Sequence, residues 1–551
     1  MRAMLAALSL VCGGASVGAQ GQRSADVSDA IVRANLAELY EAAALEPGDV
    51  TVRLHLAGYL RLVGLEAESD EVLRELAASG ADVDVLEGEG RGVCAERQGN
   101  SVGPDIIVGD INGTTNWGKF EAAPGDWRYA FSAGGTACNL GDAPVEYLWS
   151  AGMQNWHPVM GSAMYRIHGN VLRQLGQGWL KHRYFALSQN LCEPGCISTN
   201  GSALGVNCSD PYTSSRAGQQ SNMGPKYQTN AATGHYLFPF GSTLAPVQNL
   251  LSRRVQVRLG DLNPAHWPGA IYFMDHVYVQ WQDAQAENKH NNNSWRRLNV
   301  PYNDGGTPED ASDDVVGNVT FNGSTRRMQT PIDAWRFYVP AVEAVDVIVP
   351  SDSNIQIDGT PGEVHWSGRF HVGSYAADNG DGTWTYHYAV FNQNSHRSAR
   401  VFRVGVPSTV AVTGAGFADV DYHSGDGGGS VNFDGMDWSY ARGQNDVSWS
   451  APTFDENENA NALRWGTTYS FWFTADAPPA EAGGLLGLFR PGPDADPSFR
   501  VVGPACLLAW DLDGDGYVGF ADLNAVLSAF GAGYGFEELN DLLGQFGARC
   551  E

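Results

Sequence analysis

The sequence predicts a mainly β, multidomain protein with helices confined to its two ends. Three observations carry this. The chain has 551 residues, room for three or four domains at roughly 150 residues each. It holds 67 glycines and 26 prolines, and 11% of its residues are aromatic, a mixture that many short strands and tight turns produce. Between residues 100 and 477, apolar residues come in short runs and alternations rather than at helical spacing. Hydrophobic residues make up 43% and charged ones 17%, which is core enough for a globular chain. The net charge is −28 with no basic run, which excludes nucleic acid as a partner, because phosphate attraction needs clustered Lys and Arg.

Residues 1–19 read as a secretory signal: Arg2, an apolar stretch over 4–11, then Val17-Gly18-Ala19 as the cleavage site. No later stretch reaches the ~18 apolar residues of a spanning helix, so no membrane span is expected and the protein is placed outside the cell or at its surface. Export makes disulfides the expected fate of the cysteines. Cys506 and Cys550 bracket the C-terminal end. Cys94, Cys138, Cys192, Cys196 and Cys208 then leave one thiol over, which we read as Cys94. The alternative for Cys192, Cys196 and Cys208 is a structural zinc.

Residues 24–86 are helical, with Leu54, Leu56, Leu60, Leu73 and Leu76 on helix-spaced faces and Gly64 as the break. A large β-rich domain follows over 100–343. Its strands fall at 105–109, at 164–168 and 171–175 with Gly169-Asn170 as a two-residue turn, and at 254–258, 271–274 and 276–281. The Asn-rich stretch 287–294 and the acidic stretch 303–314 read as solvated loops, with a second calcium site as the alternative for the acidic one. A second β domain over 344–477, with strands at 384–391, 400–406, 410–413 and 469–474, suggests an antiparallel sandwich. Residues 478–503, rich in Pro, Gly and Ala, read as a flexible linker. A small helical module occupies 504–551.

That module carries the most specific chemistry. Asp511, Asp513, Asp515 and Asp522 stand at positions 1, 3, 5 and 12 of a twelve-residue loop. Calcium takes six to eight oxygens, and this spacing wraps carboxylates around one point. Gly516 allows the sharp turn, Tyr517 would offer its backbone carbonyl, and Val518 anchors the loop in the core. The helix after the loop recurs: 520–531 aligns with 536–547 at an offset of sixteen.

Here the chain resembles the dockerin module, a duplicated EF-hand-like calcium loop and helix. The resemblance implies calcium at Asp511, Asp513, Asp515, Tyr517 and Asp522, and docking onto a cohesin-like or cell-surface receptor. The second repeat departs from the pattern: Glu538 replaces the twelfth ligand and Leu527, Ala529 and Gly531 stand where carboxylates belong, so it should keep its helix and lose its metal. The N-terminal helices resemble a tetratricopeptide pair through Pro47, Ala57, Gly64, Leu73 and Leu76. Trp465 to Phe473 resembles the closing strand of an immunoglobulin- or fibronectin-like sandwich. The stretch from Asn155 to Asp210 is similar to exported bacterial proteins of unassigned activity.

In the large β domain, His157, Lys181, His182, Tyr184 and His235 are the candidate catalytic residues. A polysaccharide lyase would use such a base beside a tyrosine, with Lys or Arg neutralising a uronate, and exposed histidine pairs would suit copper in an oxidase. His365 and His371 share a strand face if that strand is unbroken. Glu121, Asp126, Asp142, Glu146 and Asp275 are candidates for a hydrolase carboxylate pair, none privileged. Trp117, Trp156 and Trp179 are candidate sugar platforms. The reading favoured by the sequence is a secreted calcium-binding modular protein in extracellular attachment or polysaccharide binding. A carbohydrate-active enzyme (lyase or glycoside hydrolase) with its site in 100–343 is the alternative.

Overall fold

The computed structural model describes Val72 and residues 101–548, apart from 149–154, 184, 222, 239–246, 308–309, 422–430, 506–507, 509 and 514–516. The signal, Cys94, Tyr184, Asp515, Gly516, Cys506 and Cys550 lie outside the described residues, as do the N-terminal helices except Val72, which is helical. Nearly everything described belongs to one compact unit, Ser101–Phe321 with Thr325–Glu551. It is mainly β, as expected.

In the first β region the largest sheet runs, neighbour to neighbour, through Met223–Gly224, Leu180–His182, Val159–His168, Ile271–Val279 and Asn293–Asn299. The expected hairpin is present: Val171–Gln177 folds back on Val159–His168, and His168 pairs with Val171. Its turn residues Gly169 and Asn170 have φ of 55° and 63°. Positive φ at both central positions is what a type I′ turn demands, and Gly and Asn adopt it at least cost. Two three-stranded and two two-stranded sheets complete the region, and its core buries Ile106, Val108, Phe131, Met164 and Tyr278.

Two expectations fail here. Residues 271–281 are not two strands; Ile271–Val279 is continuous, and Asp275 in its middle is buried. Its carboxylate accepts the Ala163 N–H at 2.9 Å and the Asn293 amide at 3.3 Å. The Asn-rich stretch is not a solvated loop either. Lys289, Asn292, Asn293 and Ser294 are buried, with Asn292 donating to Asp283 at 2.7 Å and Ser294 to the Val108 carbonyl at 2.7 Å. Buried polar side chains survive because they are bonded. In the acidic stretch the described carboxylates are bonded locally: Asp304 accepts from Gly306, Asp310 from Ser312, Asp313 from Thr307 and Asp314 from the Tyr302 hydroxyl.

The second region is the expected antiparallel sandwich. One sheet runs Glu343–Ile355, Pro361–Asp378, Trp384–Asn392, Thr467–Ala475, Val412–Ala418; the other runs Ser439–Arg442, Asp446–Ser450, Ala399–Gly405, Pro479–Leu488, Ser498–Pro504. Phe370, Tyr388, Phe402, Trp449 and Phe471 fill the space between them, each contributing roughly 2–3 kcal/mol by burial. Thr467–Ala475 lies between two neighbours, so it does not close the sandwich. That role falls to residues 479–504, read above as a linker. Their Gly and Ala are there for close approach: a Cβ on Gly484 would stand 2.6 Å from the Phe499 ring, and one on Gly503 2.5 Å from the Ala482 Cβ.

The two regions share a core in which Tyr165, Ile167, Phe273 and Trp295 pack with Trp335, Ala389 and Phe391. Polar bonds cross as well, from Thr468 N–H to Gln174 at 2.6 Å and from Ser470 to the Leu172 carbonyl at 2.9 Å. In the C-terminal module the repeated helix is present twice, as Phe520–Ser528 and Phe536–Gln545, over a core of Val518, Val526 and Leu542.

Candidate functional site

The strand Leu180–His182 sends alternate side chains to opposite faces. His182 turns toward His157, their ring centroids 4.7 Å apart, and Tyr236 and Phe238 complete an aromatic box. Both histidines are fully buried. His157 Nδ1 lies 3.2 Å from the Leu148 carbonyl oxygen. Burial lowers His157 to about 4, and it lowers His182 well below the imidazole range, with His157 and Lys181 adding to the effect. At neutral pH these are uncharged rings packed as aromatic core, not a solvent-facing base.

This pairing has a pH signature. Unfolded, His157 titrates near 6.5; folded, it stays neutral down to about 4. Its contribution to stability is therefore complete above pH 6.5 and is lost as pH falls toward 4. Asp275, raised by burial to about 7, acts with the opposite sign, losing stability as pH rises from about 4 to 7. The substitution His157→Phe isolates the first effect. Between pH 7 and 4.5 the wild type should lose about 2–3 kcal/mol more than the variant in urea unfolding, and parallel pH profiles would refute the assignment.

The other sequence candidates do not join the pair. Lys181 points to the opposite face, where Nζ donates to the carbonyls of Gln219 and Ser221; burial, with Arg253 adding, lowers it to about 8. His235 Nδ1 sits 2.8 Å from the Ile357 carbonyl oxygen. Lys181 shares a cavity of about 310 Å³ with Ser162 and His276, and Ser162 Oγ lies 2.8 Å from His276 Nδ1. This resembles a nucleophile and base only in outline, since burial holds His276 at about 3, too weak a base to activate a serine at neutral pH.

His365 and His371 lie on one continuous strand, Pro361–Asp378, but His365 is exposed while His371 is buried against Thr330 at 2.7 Å. The hydrolase carboxylates are dispersed: Asp126 pairs with Arg128, Asp142 caps Gly103, Glu121 accepts from Gly125, and Asp275 is internal. Trp179 is buried, and Trp117 and Trp156 are half-buried against Arg254 and Trp281, so none forms an open platform. The four described cysteines form two disulfides, Cys138–Cys192 and Cys196–Cys208, which removes the zinc alternative.

What the structure does assemble is a small, partly open cleft where the two β regions meet. The first region supplies Gln177, Trp179 and the 3-10 turn Lys226–Gln228; the second supplies His396, Phe433, Arg464, Trp465 and Arg490. Trp465 forms the floor and donates its indole N–H to the Thr229 carbonyl at 2.9 Å and the Lys226 carbonyl at 3.0 Å. Tyr227 and Phe433 are half-buried and stand edge to face at 6.0 Å. Lys226 Nζ donates to Gln177 at 3.1 Å and to the Gly466 carbonyl at 2.9 Å. Gly466 has φ of 73°, and a Cβ there would stand 2.8 Å from that Nζ, so glycine is needed twice over.

Arg464 stacks 3.9 Å over Phe433 and donates to the carbonyls of Glu458 and Ala460. Arg490 donates to the His396 carbonyl at 3.2 Å; burial lowers it to about 10, still charged at neutral pH. His396 is lowered to about 3 by burial, with Arg490 and Arg464 adding, and is neutral. No Asp or Glu is among the described residues lining the cleft. Buried carboxyls lie behind the wall: Asp275, raised by burial to about 7 with Lys226 opposing, and Asp352, raised by burial to about 6 and acting on Arg490. The sequence reading singled out none of these cationic residues.

In the C-terminal module, Asp511, Asp513 and Asp522 each bring a carboxylate oxygen within 4.8 Å of the others. Asp522 is buried; it accepts N–H groups from Gly519 at 2.8 Å, Leu512 at 2.6 Å and Asp513 at 3.3 Å, which together hold it below the usual carboxylate range. Three convergent carboxylates fit a hard divalent cation such as calcium. Val518, just after Tyr517, ties the loop to the chain end through bonds with Ala548 and Gly547. The second helix repeats the cap, with Glu538 accepting the Gly535 N–H at 2.7 Å. Residues 529–535 between the helices are too few for a second twelve-residue loop.

Fold and site thus define a mainly β, disulfide-bonded chain with a cationic, aromatic cleft and an acidic loop near its end. No family model and no curated protein matches it. Among solved structures it is similar to the serine-rich repeat adhesion glycoprotein Srr1 of Streptococcus agalactiae, at 8% identity over 69% of this chain and 89% of that one, with a TM-score of 0.17. That score is below the level of a shared fold and assigns no role.

Proposed function

We propose that this chain is an exported attachment protein that binds polysaccharide in the cleft between its β regions and holds calcium in its C-terminal module. The cleft carries the reading: the half-buried Tyr227 and Phe433 bring aromatic surface, and Lys226, Arg464 and Arg490 bring donors, to one lining between the two regions. Two disulfides suit an oxidising compartment, and no helix among the described residues is long and apolar enough to cross a membrane. Asp511, Asp513 and Asp522, with Asp515 and the Tyr517 carbonyl, would hold the ion. Phe520, Leu527, Phe536 and Leu543, exposed on the two helices, furnish a surface for a cohesin-like or cell-surface receptor.

The enzymatic readings draw less support. Of the lyase candidates, His157 and His182 are neutral core rings, and Lys181 donates to two backbone carbonyls on the opposite face of its strand. Among the described residues no group of three or more His, Cys, Asp or Glu gathers except the acidic triad, which leaves copper without a ligand set.

Titrating the full-length protein with a panel of oligosaccharides tests the cleft. Tyr227→Ala and Phe433→Ala should each weaken binding roughly fivefold, the worth of about 1 kcal/mol for one lost stacking face. Undiminished affinity in both variants would move the binding site elsewhere.

A further inference from the structure

We propose that the Lys226 amine and the Gln177 carboxamide join in an internal amide cross-link, with loss of one ammonia. The proposal goes beyond the glycan reading and does not depend on it.

Strand register assembles the reacting groups. Asp275 stands opposite Ala163, and Ala163 stands opposite Gln177. Residues directly opposite one another in antiparallel strands share a face of the sheet. Asp275 and Gln177 therefore flank Ala163 on one face, where its single methyl leaves room for a third group. Lys226 reaches that face: Nζ donates to Gln177 Oε1 at 3.1 Å, and the amine is close enough to Asp275 to oppose the rise of that carboxyl. Gly466 leaves space for the amine, since a Cβ there would stand 2.8 Å from the same Nζ.

The carboxamide is oriented for the reaction. An ammonium only donates, so the Gln177 atom facing Lys226 is the oxygen. Gln177 is buried, and its amide nitrogen has no hydrogen-bond partner. No bond holds in place the group that has to leave. Asp275 handles the protons: raised by burial to about 7, it can take up or release one near neutral pH. Ionised, it accepts a proton from the Lys226 ammonium and frees the Nζ lone pair. Nζ then attacks Gln177 Cδ, one bond behind the oxygen it already touches. As the tetrahedral centre collapses, Asp275 gives its proton to the departing nitrogen and receives the second proton that Nζ sheds. The Cδ–Nε2 bond breaks, the Nζ–Cδ bond remains, and ammonia leaves as ammonium with the proton left on Asp275. Reacting groups held in contact have a very high effective concentration, so the fold itself promotes the step. The one N–H left on Nζ serves the Gly466 carbonyl, which the amine already meets at 2.9 Å.

The structural alternative is a plain hydrogen bond bracing the turn Lys226–Gln228 against the strand Val171–Gln177. Peptide mapping of the full-length protein, reduced, alkylated and cut with trypsin, separates the two. The cross-link should place Gln177 and Lys226 in one branched peptide, lighter than its two parents by one ammonia, with no cleavage after Lys226. Two separate peptides of unaltered mass, with cleavage after Lys226, would overturn the proposal whatever the glycan titrations show. In Asp275→Asn of unchanged circular dichroism, the linked fraction should fall roughly tenfold or more. Undiminished linkage in that variant would overturn the proton-carrying role given to Asp275.

Discussion

Arg183→Met should destabilise the folded chain by about 3–5 kcal/mol, the cost of leaving one charge of a buried pair without its partner. Arg183 is fully buried just after the strand Leu180–His182. Its guanidinium meets Asp210 Oδ2 at 2.6 Å and also donates to the Asp210 carbonyl, the Gly135 carbonyl and the Tyr278 hydroxyl. Those partners belong to three strands, Ser209–Tyr212, Gly135–Asn139 and Ile271–Val279, in two sheets of the first region. Burial raises the Asp210 carboxyl, and Arg183 opposes that rise. Without the cation, Asp210 must take up a proton or stay ionised in a dry interior. Denaturant unfolding of the single variant and of Arg183→Met/Asp210→Leu would measure this. The double variant should recover most of the loss, and a single-variant cost below about 1 kcal/mol would show that water reaches the site.

Calcium uptake should be the second large effect. Chelator-treated full-length protein titrated with calcium should give a binding heat that Asp511→Ala and Asp522→Asn each abolish. Clustered carboxylates repel one another until a cation joins them, and a ligand at a hundredfold its dissociation constant stabilises by about 2.7 kcal/mol. The melting transition of the C-terminal module should therefore rise with calcium in the wild type and stay put in Asp511→Ala. An equal change on substitution in chelator would assign Asp511 a purely structural role, and absence of heat in the wild type would remove the ion altogether.

Local rules were legible where local physics decides. The Gly169-Asn170 turn, the strands around Trp384 and Tyr469 and the repeated C-terminal helix follow from turn chemistry, alternation and duplication. The acidic triad was legible because its ligands lie in one short loop. What failed to show was burial of polar groups. His157, Lys181, His182 and Arg183 form a dense run of reactive residue types, and each proves to be an interior group answered by a specific partner.

The same holds for the Asn-rich stretch and for Asp275 within its strand. Gly484 and Gly503 suggest slack when read along the chain, yet they are small because the Phe499 ring and the Ala482 Cβ stand against the backbone. The cleft could not be seen at all. Lys226, His396, Arg464 and Arg490 are dispersed over more than 250 residues of chain, and only the docking of one β region on the other makes them neighbours.

Pro479–Leu488 and Ser498–Pro504 are strands, and Ala505 is already bonded back to the Pro478 carbonyl at 2.7 Å, so only residues 505–510 separate the sandwich from Asp511, where the acidic loop begins. A tether of some twenty-five loose residues would have let a captured glycan wander several nanometres from whatever grips the tail. On the proposed reading, with that slack taken up into a sheet, traction on the tail would pass into the sandwich across a short run of chain rather than a long tether.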